Sequence, residues 1–310
     1  MKKKYVCGID IGGTNTVVAL VDEQGVIPAR RSMPTAGETV EAYAAKIGEL
    51  IEEILADAGV RREEVSGIGI CAPCADYRTG MIEAATNLPW PMPIALRDIV
   101  SKATGMAVAV SNDANAAAVG EMRYGAARGM KDFIVLTLGT GVGSGIVCDG
   151  HLLTGHCGFA GELGHSSVRG GEGRKCGCGR TDCLETYCAA PGVVATATAV
   201  MRRRGMEVPA ELTAKMVGEA ADRGEEWAVE ALEYTGSVIG RACADFVTFS
   251  DPEAIILFGG VANAFRHFEP AMRKALEEHT LFLYRNRVKI LATGLKAADA
   301  AVLGAAALAW

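Results

Sequence analysis

Two stretches of the chain carry one pattern of apolar and polar positions. Residues 5–25 and residues 133–150 each run as an apolar segment, a glycine-rich turn, a second apolar segment, and a closing Asp and Gly. β-Branched residues flank both sets of glycines, so each stretch predicts a β-hairpin. The echo predicts two related lobes, each opening with a hairpin. Over residues 39–58 the apolar Val40, Tyr43, Ile47, Leu50, Ile51 and Ile54 fall at helical spacing, and Gly59 marks a stop. Residues 65–72 and 108–111 read as buried strands, with a helix over 115–122. Beyond the second hairpin the pattern predicts helices over 191–204, 210–223 and 226–249, and short strands over 254–258 and 288–292. Strands alternating with helices indicate an α/β class.

No Pro- or Ser-rich linker interrupts the pattern. A boundary is expected near residue 115, giving a smaller N-terminal α/β lobe over 1–115 and a larger C-terminal α/β lobe over 116–296. The apolar end of the chain, about 297–310, reads as a buried helix that returns to the first lobe. It carries Asp299 and falls short of the roughly 18 residues a membrane span needs.

Composition narrows the function classes. The chain has 310 residues, half of them apolar and 22% charged, which suits a globular protein of two domains. With 31 basic and 37 acidic residues and a net charge of −6, no basic excess exists to neutralise a phosphate backbone. Nucleic acid is therefore not expected as the main partner, nor is a membrane. The first apolar run is broken by Gly8 and Asp10, unlike a signal peptide, so a cytoplasmic location is expected. Ten cysteines in such a chain imply thiols or metal ligands more than disulfides.

Four strings carry candidate chemistry. Asp10, Gly12, Gly13 and Thr14 stand where a strand enters a turn, and glycines there let backbone N–H groups approach a phosphate, with Asp10 beside it as a magnesium holder. An ordinary hairpin turn is the plain alternative. Thr140 and Gly141 belong to a second such turn. Asn112 and Asp113 follow a short strand and precede a helix; one reading is a helix cap, the other a base that takes a proton from an attacking hydroxyl. His165, Cys176, Cys178 and Cys183 supply four ligands of the types that suit tetrahedral zinc, with no position left for water. A redox cluster is the alternative. If one ring nitrogen of His165 binds zinc, the other donates to a ligand hydroxyl, while Glu162 and Glu185 accept from others; either Glu alone reads equally as a solvated surface group. Gly259 and Gly260 end a strand where a flat adenine fits on the backbone, or where the chain merely turns. Trp90 and Trp310 read as packing residues.

Taken together these strings resemble the ROK family of bacterial sugar kinases and sugar-responsive repressors. The resemblance runs from Asp10-Ile11-Gly12-Gly13-Thr14 through Asn112-Asp113-Ala114-Asn115, LGTGVGSG, GELGH and CGCGRTDCLE to FGG. Within the family, Ala72-Pro73 and Thr86-Asn87-Leu88-Pro89-Trp90 are most similar to the glucokinases. The resemblance implies an actin-like, hexokinase-type ATPase fold with two lobes around a central cleft, and a homodimer. It implies ATP and magnesium as cofactors, a structural zinc, and phosphorylation of glucose at its 6-hydroxyl. By position it makes Asp113 the catalytic base, and gives the sugar hydroxyls to Asn87, Asn112, Asp113, Glu162, His165 and Glu185. The two glycine turns would take the phosphates, and Gly259 with Gly260 would border adenine. Alternatives are a kinase for N-acetylmannosamine, N-acetylglucosamine, allose or fructose, or a non-catalytic repressor. Repressors of the family carry a helix-turn-helix domain ahead of the first strand. Two positions depart from the family: Cys74, where relatives commonly have Gly or Asn, and Asp182, where Gly is common before the last cysteine.

Overall fold

A computed structural model describes residues 3–310. The chain forms two compact units. The first comprises the chain up to Gly129, Thr154–Ala160 and Gly294–Trp310; the second comprises Met130–Leu153 and Gly161–Thr293.

The first unit is built on the sheet β3-β2-β1-β4-β5, from β1 (Tyr5–Ile11), β2 (Asn15–Asp22), β3 (Ala29–Pro34), β4 (Val65–Cys71) and β5 (Val108–Ser111). β1 and β2 form the first hairpin, and β1, β4 and β5 run parallel. Helix α1 (Val40–Ala58) starts where the Thr39 side chain accepts from the Ala42 N–H and stops at Gly59, whose left-handed φ of 64° no β-carbon opposes. Its buried stripe of Tyr43, Ile47, Ile51 and Ile54 packs on Ile9, Leu20 and Ile68 of the sheet. Each such aliphatic side chain, once buried, contributes about 1.5–3 kcal/mol. α2 (Leu96–Thr104) and α3 (Asp113–Tyr124) complete the segment before the chain passes to the second unit.

The second unit carries the sheet β10-β9-β6-β7-β8, from β6 (Phe133–Leu138), β7 (Val142–Cys148), β8 (His151–Leu152), β9 (Ala254–Phe258) and β10 (Lys289–Ala292). Around it lie α4 (Glu185–Cys188), α5 (Ala190–Arg203), α6 (Ala214–Asp222), α7 (Glu226–Ser250) and α8 (Phe265–His279). The final helix, α9 (Ala300–Ala307), packs on α3, β1 and β4 of the first unit.

Several boundaries differ from the sequence pattern, each for a local reason. The division expected near residue 115 falls inside α3. That helix begins at Asp113 because the Asn112 side chain caps it, and it stays with the first unit because Ala116 shares a small core with Cys71 and Ala305 of α9. α6 starts at Ala214, later than expected, where Thr213 caps it. Strand β3 lacked an apolar signal because Met33 is its one buried residue, and α8 is masked by Pro270 inside it. No helix among the described residues is long and apolar enough to cross a membrane.

Candidate active site

In the first unit three strand ends line up. Register pairs Asp10 of β1 with Cys71 of β4, and Cys71 with Ser111 of β5, so all three stand in one row at the carboxyl edge of the parallel strands. Asn112 and Asp113 follow that row directly. The cap reading holds for Asn112, whose Oδ1 accepts from the Asn115 N–H at 2.9 Å. Asp113 occupies the first helical turn instead, exposed, with its Oδ1 accepting from the Cys71 thiol at 3.2 Å. Burial pushes the Asp10 carboxyl up to about 6, and the Asp113 carboxylate nearby adds to the shift.

The adjoining turn of Gly12, Gly13 and Thr14 is fastened from below. The Thr35 hydroxyl donates to Gly12 O at 2.7 Å and meets the Thr16 hydroxyl at 2.8 Å, and Thr16 in turn meets the buried Tyr43 hydroxyl at 2.5 Å. Asn87 lies against the turn: a β-carbon on Gly13 would come within 2.9 Å of its carbonyl oxygen. Trp90 is buried beside Tyr43, with ring centroids 4.5 Å apart, and is a packing residue.

In the second unit His165, Cys176, Cys178 and Cys183 converge, their ligand atoms all within 4.8 Å of one another. His165 Nδ1 lies 3.7 Å from Cys176 Sγ, and Cys178 Sγ lies 3.6 Å from Cys183 Sγ. Tetrahedral zinc with ordinary bond lengths sets its ligands about 3.6–3.8 Å apart, so the donor set fits that ion. With Nδ1 turned to the cluster, Nε2 is left to carry a proton outward. The loop bearing His165 is laddered to the knuckle: Leu184 N–H donates to Ser166 O at 2.9 Å, Val168 N–H to Asp182 O at 2.8 Å, and Arg180 to His165 O at 3.0 Å. Ser144 of β7 braces the same loop from the sheet, donating to Gly161 O and accepting from Leu163 N–H.

Glu185 joins this cluster to the second glycine turn. Its carboxylate accepts from the Val142 N–H at 3.2 Å and lies 3.2 Å from Cys176 Sγ. A β-carbon on Gly141 would approach that carboxylate to 2.6 Å, so glycine there leaves room for the glutamate. Glu162 is exposed on the same loop as His165. Gly139 and Thr140 of the turn share a cavity of about 550 Å³ with Gly260, Val193, Gly218 and Asn263. Gly259, at φ +100°, lets the end of β9 pass against Leu138 O beside it.

Each unit thus gathers its own share of the expected residues: Asp10, Gly12, Gly13, Thr14, Asn87, Asn112 and Asp113 in the first, the rest in the second. The two family departures have a conformational reason. Cys74 and Asp182 both adopt left-handed backbone, with φ of 54° and 55°, which suits the Gly or Asn common there. Asp182 compensates through its carboxylate, which accepts from the Gly173 and Arg174 N–H groups and from the Tyr187 hydroxyl at 2.5 Å. Sequence reasoning missed Cys71, Thr35, Ser144 and Arg180, whose partners lie far along the chain and leave no local signal.

A family model described as "ROK family" matches residues 6–310. A glucokinase of Halalkalibacterium halodurans is 35% identical over 85% of this chain and 82% of its own length. An N-acetylmannosamine kinase of Citrobacter koseri is 32% identical over 97% of each chain. Among solved structures, a ROK family glucokinase from Streptomyces griseus in complex with glucose and AMPPNP superposes with a TM-score of 0.72 at 31% identity, covering 97% of this chain and 98% of that one.

Proposed function

The chain belongs to the ROK family, has its actin-like ATPase fold, and from that premise we propose that it is a sugar kinase transferring the γ-phosphoryl group of ATP to the 6-hydroxyl of glucose. One observation carries the reading. Asp113 stands at the carboxyl edge of the first sheet, oriented by the Cys71 thiol and near Asp10, the residue that leads into the first glycine turn.

In this reaction Asp113 accepts the 6-hydroxyl proton as the sugar oxygen bonds to the γ-phosphorus and the bond to the β-phosphate oxygen breaks, releasing ADP. Asn112 offers its amide N–H groups to the sugar, since its carbonyl oxygen is spent on the helix cap. Asn87, His165 through Nε2, Glu162 and Glu185 complete the set for the hydroxyls. Gly13 and Thr14 in one unit and Thr140 and Gly141 in the other present backbone N–H groups to phosphate, whereas the Gly12 N–H, expected to do the same, is spent closing the turn on Asn15 O at 3.0 Å. Gly260 borders the base in the cavity it shares with Thr140. Asp10 would hold magnesium, which would neutralise phosphate charge. His165, Cys176, Cys178 and Cys183 would hold zinc, which would supply the rigidity that aims His165. The reading includes action in the cytoplasm and a homodimer, the latter checked by light scattering of the purified protein.

Asp113→Asn keeps the shape and removes the base, so turnover is expected to fall about 10²- to 10⁴-fold with glucose affinity largely kept. Normal turnover of that variant in a coupled ADP assay overturns the assignment. The similarity to an N-acetylmannosamine kinase favours a second reading, in which an N-acetylhexosamine is the better acceptor. A panel of hexoses and N-acetylhexosamines decides it by the ratio of kcat/KM values.

A further inference from the structure

Glu121, in α3, is fully buried, and no sugar, phosphate or metal role calls for it. Its carboxylate accepts from the Ala126 N–H at 2.6 Å and from the Gly294 N–H at 3.2 Å. Its own carbonyl oxygen accepts from Gly125 and Ala127, each at 3.1 Å. One residue therefore holds four backbone N–H groups. They belong to the two segments by which the chain leaves the first unit after Gly129 and re-enters it at Gly294. The segments touch backbone to backbone: a β-carbon on Gly294 would lie 2.5 Å from Ala126 N and 2.8 Å from Gly125 C. Burying a carboxylate is costly unless its oxygens are satisfied, so these bonds are strongly specified.

The far sides of the same two passages are fastened to the second unit. Glu253 accepts from the Lys131 N–H at 2.8 Å and the Asp132 N–H at 3.3 Å. The Thr293 N–H donates to Leu257 O at 2.9 Å. Between the anchors remain Gly129 and Met130 on one strand, Gly129 at φ +85°, and the single peptide link from Thr293 to Gly294 on the other. The other two passages flank Thr154–Ala160, away from Glu121 in sequence.

We propose that Glu121 is a positioning residue that fixes both connections to one point of the first unit, confining the pivot to Gly129–Met130 and Thr293–Gly294. Any rearrangement of the second unit during turnover then bends these two connections at those places, which keeps the Asp113 end of α3 undisturbed. The kinetic consequence rests on the kinase reading; the exchange measurement below does not.

Hydrogen exchange on the wild-type protein, read at single-amide resolution, is expected to show Ala126 and Gly294 protected with the first unit and Lys131 and Thr293 with the second. Met130 should exchange at least tenfold faster than either flank. Even protection from 126 to 132 overturns the proposal. In Glu121→Gln the amide NH2 faces donors, so protection at Ala126 and Gly294 should drop at least tenfold while the β1–β2 hairpin keeps its own. Loss spread evenly over the first unit would make Glu121 a general stability residue and sink the idea. In the same variant kcat should fall about tenfold with glucose affinity by calorimetry within about threefold; unchanged kcat alongside lost protection refutes the kinetic role and leaves the anchor standing.

Discussion

The two sheets of this molecule have one topology and different chemistry. Read from their outer antiparallel strands, β3-β2-β1-β4-β5 and β8-β7-β6-β9-β10 show the same succession: two antiparallel neighbours, then two parallel ones. They diverge at two places. Asp10 sits one pair back from the first turn, opposite Val17, where the second hairpin has Thr137 opposite Gly143. The first unit bridges its third and fourth strands mainly with α1, whereas the second inserts the His165 loop, the cysteine knuckle and α4 to α7. The repeat builds the scaffold; the inserted segment and one substitution in a hairpin divide the work between the units.

The comparison breaks most visibly if metal is taken away. Only the second unit has the knuckle, so chelation or Cys178→Ser should destabilise that unit and leave the first one standing. Cys178 is exposed, so the substitution loses little packing of its own. Structural zinc in small sites binds with about 10–16 kcal/mol, and losing even part of that should cost several kcal/mol of stability here. Zinc content measured by atomic absorption, with calorimetric melting, checks it. Two transitions separating in the metal-free protein, and weaker glucose binding, are the expected outcome; an unchanged single transition removes the metal's structural role.

A smaller effect sharpens the strand-end comparison. Matching Asp10↔Cys71 to Thr137↔Phe258 makes Ala72 the counterpart of Gly259. Ala72 is buried and accommodated, whereas a β-carbon on Gly259 would stand 2.6 Å from Leu138 O at a φ of +100°. Gly259→Ala should therefore cost about 2–3 kcal/mol, seen in urea unfolding of the second unit. If it costs no more than a surface substitution, the close approach of the β9 end to Leu138 is not required.

Much of this was legible in the chain itself. The twin hairpins, α1 and the gathering of His165, Cys176, Cys178 and Cys183 follow from local periodicity and spacing, which short-range physics dictates. β3 was hidden because an edge strand with charged Arg30 and Arg31 buries too little to show alternation. The contacts that aim the site residues were hidden for another reason: Cys71 on Asp113, Glu185 on Val142 and Arg180 on His165 are set by register and packing between distant segments. Cys74 and Asp182 were visible as departures, but only backbone geometry explains why both positions favour glycine.

The finest test concerns Asp10 against Thr137. In the folded, ligand-free protein burial, and then the Asp113 charge, raise the Asp10 carboxyl from 3.8 to about 6. The folded state therefore holds this proton more tightly than the unfolded chain does. The resulting stabilisation is complete below the unfolded value, declines as pH rises through about 6, and is gone above it. Asp10→Asn removes that dependence. Its stability relative to wild type should climb between about pH 4 and pH 6 and level off about 1–2 kcal/mol above wild type, a figure reduced for partial solvent screening. Turnover should fall in the same variant, because the group that resists ionisation in the empty protein is the one proposed to hold the metal beside phosphate. Thr137→Ser, at the matched position of the other hairpin, should show no such pH dependence. A stability gap that stays flat from pH 4 to pH 7, measured by urea unfolding, would mean that Asp10 is no more crowded than Thr137 and that the two turns are chemically equivalent.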